Sequence, residues 1–276
     1  MERVLHTARL IEKRLLSERA QAFHFVFAVE TLSAFEFGPG QFVSLLKADA
    51  RGKMQTRAYS IASAPRGNQF DLCVNRVDGG FFSNVLADMH IGDTLQMHGP
   101  HGLFTLREPL GDSLLIATGT GIAPMRGFVE WLFPPDTSPD GPSRLPEGKT
   151  VTLIYGTRHE TEMYYRDLFE ATAARHPAFR YLPTLSRAGE DWHGARGYVQ
   201  DHVAALLPQI SPPAPVEPEP PVHPEADKAA DPRQPAPDAF PIHAYICGLN
   251  AMVSANRDLL KQYGWHRKQI VFERYD

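Results

Sequence analysis

Short runs in which apolar and polar residues alternate fill the first third of the chain. His24-Phe25-Val26-Phe27-Ala28-Val29 and Gln41-Phe42-Val43-Ser44-Leu45-Leu46, the second entered through Gly38-Pro39-Gly40, read as strands because side chains on an extended chain alternate faces. Within residues 1–109 only 81–89 carries helical spacing. Many short strands with one helix predict a small antiparallel β-barrel. From Asp112 onward the pattern changes. The apolar runs 113–117, 150–155 and 244–247 each lead into a helical period, at 125–133, 164–174 and 252–263. Strand-then-helix alternation predicts a doubly wound parallel sheet over residues 110–276.

Two stretches fall outside both patterns. Residues 211–241 hold 11 of the 24 prolines, six acidic and two basic residues, and only Val216, Val222 and Phe240 as large apolar side chains. Such a stretch has too little apolar surface for a core and reads as a disordered, proline-rich insertion, either a tolerated surface loop or a docking or lid element. Residues 134–146 read as a second proline-rich surface loop. A chain of 276 residues fits two domains of about 100 to 150 residues each.

Composition narrows the class further. Charged residues at 22% and apolar ones at 43% suit a globular protein. No run approaches the roughly 20 apolar residues of a membrane span, and the polar, charged start lacks a secretory core, so the expected location is cytoplasmic. The net charge of −4 speaks against a nucleic-acid surface. Two cysteines, Cys73 and Cys247, are too few for a cysteine-ligated iron-sulfur cluster or a four-thiolate zinc site. No metal site is expected, and any redox metal belongs to a partner.

Two motifs carry candidate chemistry. Thr118-Gly119-Thr120-Gly121-Ile122-Ala123-Pro124 follows a buried strand and opens a helix, where glycines let backbone amides approach a pyrophosphate. Pro124 stands where the third glycine of Gly-x-Gly-x-x-Gly would be, and suits a first helical turn. The bland alternative is a plain strand-to-helix turn. In Arg57-Ala58-Tyr59-Ser60, alternation puts Arg57 and Tyr59 on one side, an arrangement for a phosphate and a planar ring. The alternative is an edge strand with an exposed arginine. Cys247 ends a buried strand, either as a structural thiol or at the edge where open parallel sheets bind ligands.

Arg57-Ala58-Tyr59-Ser60, Leu72-Cys73-Val74-Asn75-Arg76, Gly79-Gly80-Phe81-Phe82-Ser83-Asn84, Thr118 through Pro124, Tyr245-Ile246-Cys247-Gly248 and Glu273-Arg274-Tyr275 occur in one order along nearly the whole chain. In that order the sequence resembles the ferredoxin-NADP reductases. The resemblance implies an antiparallel β-barrel FAD-binding domain (1–109) followed by an α/β doubly wound parallel-sheet NADP-binding domain (110–276). It implies FAD and NADP(H) as cofactors, hydride exchange between them, and single electrons passed to a separate ferredoxin or flavodoxin.

Carried onto this sequence, the resemblance gives Arg57 to the FAD pyrophosphate, Ala58 to the same binding strand, Tyr59 to one isoalloxazine face and Ser60 to the neighbourhood of flavin N5. Cys73, Val74 and Asn75 would supply backbone and small contacts along the adenosine side. Gly80, Phe81, Phe82 and Ser83 would open a helix onto the diphosphate. Thr118, Gly119, Thr120, Gly121, Pro124, Cys247 and Gly248 would form the nicotinamide side, with Cys247 a positioning group and no thiolate. Glu273 would assist proton delivery and Tyr275 would cover the flavin; the family pattern ends on that aromatic, whereas here Asp276 follows. Ser186 and Arg187 resemble the pair that grips the 2'-phosphate of NADPH, with Arg158, Arg196 and Tyr164 assisting. Two other readings stand beside this one. One is an NADH-dependent reductase component of an oxygenase or a flavin reductase, to which Trp192-x-Gly194-x-x-Gly197 points. The other is a non-catalytic flavin-binding interaction module. Arg51, Lys53, Arg66 and Arg76 are either a docking patch for an acidic partner or a solvated surface.

Overall fold

The computed structural model describes residues 4–134, 143–210 and 240–275. The expected loop at 134–146 and the proline-rich segment 211–241 therefore lie mostly outside the described residues, as does Asp276.

Six strands come first: β1 (His6–Ser17), β2 (Ala22–Val29), β3 (Phe42–Ala48), β4 (Met54–Ser60), β5 (Gln69–Asn75) and β6 (Thr94–His101), with helix α1 (Phe81–Asp88) between the last two. All pairings are antiparallel in the order β4-β3-β6-β1-β2-β5. The sheet curls until its ends meet. An antiparallel bridge joins Ile61, just past β4, to Leu72 of β5, and Ala62 N donates to Asp71 O at 2.8 Å. Leu10, Phe25, Phe27, Val43, Leu45, Phe70, Leu72 and Met97 fill the interior, and Phe82 and Leu86 of α1 close one end. Alternation along each strand thus produced the barrel expected from sequence.

The second sheet is parallel: β7 (Asp112–Thr118), β8 (Val151–Thr157), β9 (Phe179–Leu185), β10 (Ala195–Arg196), β11 (Ile242–Leu249) and β12 (Ile270–Tyr275), in the order β10-β9-β8-β7-β11-β12. Its helices are α2 (Ile122–Leu132), α3 (Arg166–Arg175), α4 (Val199–Ile210) and α5 (Asn250–Gln262). Leu115 and Ala117 join one core with α2 and α3, while Leu114 and Ile116 join the other with α4 and α5. A strand buried on both faces must be apolar throughout, which explains the unbroken run 113–117. Strand order reverses beside β7, so β7 and β11 flank the crevice where such sheets hold ligands. The core shared with α2 also includes Ala22, Ala62 and Cys73 of the barrel, so the two sheets pack through one apolar interface.

Candidate active site

The barrel-side residues gather at the seam where β4 meets β5. Arg57 and Ala58 are exposed, Tyr59 is half-buried and Ser60 is buried. Burial pushes the Tyr59 hydroxyl up to about 12, so the ring stays neutral. The Arg57 guanidinium makes no hydrogen bond or ion pair with any described residue, which leaves it to an outside anion. Beyond β5, α1 starts at Gly80 with no side-chain cap, so its first amides are unclaimed. Arg57 on β4 and the first amides of α1, just beyond β5, are thus two anion-seeking features on neighbouring elements, the kind of groups an FAD diphosphate would need. Ser83 Oγ accepts from Val77 N at 3.1 Å and shapes the turn, Phe82 sinks into the barrel and Phe81 stays exposed. Cys73 and Val74 are buried, and the Asn75 side-chain oxygen accepts from Tyr164 OH at 3.2 Å. Their side chains are committed within the protein, so contacts from 73–75 to a cofactor fall to the backbone.

The facing side is built on the parallel sheet. Strand β7 ends at Thr118, a 3-10 turn covers Gly119–Gly121, and α2 follows with Pro124 in its first turn. Gly121 is required there, since a Cβ would come within 2.1 Å of Cys247 O. Tyr155 OH supports the turn by donating to Gly119 O at 3.1 Å. Thr118 Oγ1 is buried against Gly248 with no hydrogen-bond partner among the described residues. An orphaned hydroxyl at the carboxyl end of a central strand fits a site that a nucleotide amide completes.

Ser60 of the barrel meets a group of three side chains from the parallel sheet, Cys247, Glu273 and Tyr275. Strands β11 and β12 pair in parallel, with Cys247 opposite Glu273 and Leu249 opposite Tyr275, so Glu273 and Tyr275 belong to a strand rather than to a trailing tail. Tyr275 OH donates to Ser60 Oγ at 2.9 Å, and Ser60 Oγ donates to Glu273 Oε2 at 2.8 Å. Cys247 is fully buried, hydrogen-bonded to Tyr275, and burial drives its thiol far above the ordinary range. It is a neutral packing group with no thiolate character. Burial raises Glu273 as well, against the opposing pull of the Ser60 hydrogen bond. A neutral serine hydroxyl thus connects a phenol to a carboxyl that holds its proton more tightly than usual.

The 2'-phosphate candidates part company. Arg187 N donates to Arg158 O at 2.9 Å and Ser186 N to Thr157 O at 3.0 Å, which brings Arg158, Ser186 and Arg187 to the carboxyl ends of β8 and β9. Arg196 also lies at this edge, but its guanidinium is spent on carbonyls of its own loop, chiefly Trp192 O at 2.7 Å and Gly189 O at 2.9 Å. Tyr164 is buried at the junction with the barrel and reaches Asn75, so it is turned away from that group. The basic patch also thins. Arg66 binds Asp71 through both terminal nitrogens, and Arg76 pairs with Asn84 and Asp88, which leaves Arg51 and Lys53 exposed.

Comparison with known proteins agrees with this architecture. Residues 7–106 match the oxidoreductase FAD-binding domain and residues 115–216 the oxidoreductase NAD-binding domain. Ferredoxin–NADP reductase B of Sorangium cellulosum is 39% identical over 98% of this chain and 97% of its own. The chain belongs to the ferredoxin–NADP reductase family. It is an FAD- and nicotinamide-nucleotide-binding oxidoreductase. The reductase component of phenol 2-monooxygenase from a Pseudomonas species is 35% identical over 61% of this chain and 46% of its own. A Neisseria gonorrhoeae ferredoxin NADP+ reductase shares the fold at a TM-score of 0.72 and 22% identity, covering 99% of both chains. No helix among the described residues is long and apolar enough to cross a membrane.

Two predictions arise for the reductase here. Thr118→Val keeps the shape and removes the orphaned hydroxyl, whose burial costs about 1–3 kcal/mol when unpaired. The variant should melt higher than the wild type yet bind NADP+ about tenfold more weakly, as thermal melts with and without nucleotide will show. Glu273 is raised above its ordinary value of 4.5 in the folded chain, so the folded state holds its proton over a pH window where the unfolded chain has lost it. Its contribution to stability therefore falls as pH rises from 4.5. Glu273→Gln should gain stability relative to wild type across that window and keep a constant lead above it, in urea titrations at stepped pH.

Proposed function

We propose that this reductase takes its hydride from NADPH in preference to NADH and passes electrons singly to a separate ferredoxin or flavodoxin in the cytoplasm. Residues 1–109 hold FAD and residues 110–276 hold the nucleotide. Bound FAD supplies the chemistry, accepting a hydride from nicotinamide and releasing electrons one at a time. In this reading Arg57 and the first amides of α1 bind the diphosphate, Tyr59 covers the ring and Ser60 donates or accepts near its reactive nitrogen. Thr118, the turn 119–121, Cys247 and Gly248 seat the nicotinamide. Tyr275 screens the site from water, and Glu273 holds the proton that Ser60 hands on.

The observation that supports NADPH is the convergence of Ser186, Arg187 and Arg158 at one strand edge, with both arginine side chains exposed. Two guanidinium groups beside a hydroxyl suit a dianionic phosphate, whereas NADH users place an acidic residue against the ribose hydroxyls. Likeness to the phenol monooxygenase reductase component favours a second reading, an NADH-dependent reductase serving an oxygenase. A flavin-binding module without catalysis would have no use for the hydrogen-bonded Ser60–Glu273–Tyr275–Cys247 group.

Steady-state rates with ferricyanide as acceptor, measured for both nucleotides, separate the first two readings. A kcat/KM at least tenfold higher for NADPH supports the proposal, and a preference for NADH overturns it in favour of the oxygenase reading. Reduction of added ferredoxin or flavodoxin then identifies the acceptor.

A further inference from the structure

Away from the reacting groups, a buried polar cluster crosses from the parallel sheet to the barrel. Arg126, on α2 and 10% exposed, donates from Nη1 to Asp71 Oδ2 at 2.7 Å and to Ala62 O at 2.5 Å. Its Nη2 meets Glu130 Oε1 one turn further along at 2.6 Å, and Glu130 Oε2 accepts from Ala64 N at 3.2 Å. Asp71, on β5 and fully buried, also takes the two contacts from Arg66 and receives Ala62 N through its own carbonyl. Tyr165 lies under the Arg126 guanidinium at 4.9 Å and shares a 3.0 Å hydrogen bond with His24 of the barrel. Burial holds His24 down to about 4, so the ring is neutral and the charge balance of the cluster rests on the arginines and carboxylates.

The cluster grips one short piece of chain, residues 61–64, which begins directly after Ser60. Helix α2 comes unusually close to that piece, and Gly127 makes this possible: a Cβ there would sit 2.9 Å from Ser63 O. The same helix begins at the turn 119–121 on the nicotinamide side, four residues or about 6 Å along its axis from Arg126. One rigid helix therefore carries the nucleotide turn at its start and the grip on the Ser60 segment one turn later. Cohesion alone would be served as well by apolar side chains of similar volume, because removing paired charges from water offsets most of their attraction. What a buried, multiply bonded guanidinium adds is a fixed geometry.

We propose that Asp71, Arg126 and Glu130 form a positioning clamp that sets the separation between the flavin side, through Ser60, and the nicotinamide side, through the turn 119–121. Resting on hydride transfer as the function of the site, the clamp acts on the rate of that step and leaves the affinities for FAD and nucleotide nearly unchanged. Misplacement of reacting groups by about 1 Å can slow a reaction 10²-fold without loss of binding.

The test uses the FAD-loaded chain in anaerobic stopped-flow mixing with NADPH, together with difference-spectrum titration by NADP+. Arg126→Met should lower the limiting rate of flavin reduction 10- to 100-fold, with FAD retained and the NADP+ dissociation constant within threefold of wild type. Arg126→Lys, which keeps the charge but offers one point contact, should fall between the two. Gly127→Ala alters no charge and pushes α2 away from Ser63, so it should slow reduction at least fivefold even where Arg126→Met fails to fold. Wild-type limiting rates in the folded, FAD-loaded Gly127→Ala protein, or in Arg126→Met, would overturn the clamp. Should the wild type itself resist reduction by both nucleotides, the proposed function fails instead, and the two failures are distinguishable.

Discussion

Ser60→Ala is expected to keep FAD bound and to slow its reduction by NADPH about 10²-fold, the usual loss when a positioned proton-transfer group is removed. Ser60 accepts from Tyr275 OH and donates to Glu273, so among the described residues its hydroxyl links the barrel by hydrogen bonds to these two β12 side chains. Without it the phenol loses its acceptor and the carboxyl loses the hydrogen bond that offsets its burial. In the proposed function, binding rests elsewhere, on Arg57 and the amides at the start of α1, so the flavin should stay. Ser60→Thr restores the hydroxyl and should recover most of the rate. Flavin absorbance after rapid mixing reads both variants, and a wild-type rate in Ser60→Ala would remove Ser60 from the mechanism.

The second large effect concerns the nucleotide. Replacing Arg158 and Arg187 together by alanine should raise KM for NADPH about 10- to 100-fold, since each hydrogen bond to a charged group contributes about 1.5–3 kcal/mol and part of this is shared. KM for NADH should hardly move, because neither side chain has a 2'-phosphate to meet. Arg196→Ala should act differently. Its guanidinium ties the carbonyls of residues 189 and 192, so its loss should lower thermal stability more than it changes the preference for NADPH.

These expectations show which parts of the molecule were legible before the structure. The barrel and the parallel sheet followed from the switch between alternating strands and unbroken apolar runs, because burial on one face or two imposes those patterns directly. The loop 118–124 was legible for a related reason: Gly121 lies so close to Cys247 that no side chain fits, and that demand is written in one residue. Cys247, Glu273 and Ser60 are named by the resemblance alone, and the hydrogen bonds that gather them around Tyr275 are visible only in the fold. Arg126 and Asp71 were missed, being 55 residues apart in the chain and adjacent only after the domains pack. A signal was present nonetheless, in an arginine and a glutamate four residues apart within the otherwise apolar stretch 122–132. Tyr164, given with Arg158 and Arg196 as an assistant to the 2'-phosphate pair, is buried against the barrel instead. Tyr165, with a φ of +59°, turns the chain there, and Tyr164 is directed toward Asn75.

Anaerobic mixing of the FAD-loaded chain with NADPH tests the account most directly, with flavin absorbance followed from milliseconds to minutes. The account predicts rapid bleaching by NADPH, much slower bleaching by NADH, and an approximately 10²-fold slower NADPH phase in Ser60→Ala. A bound flavin whose oxidised spectrum persists for minutes with either nucleotide would contradict it.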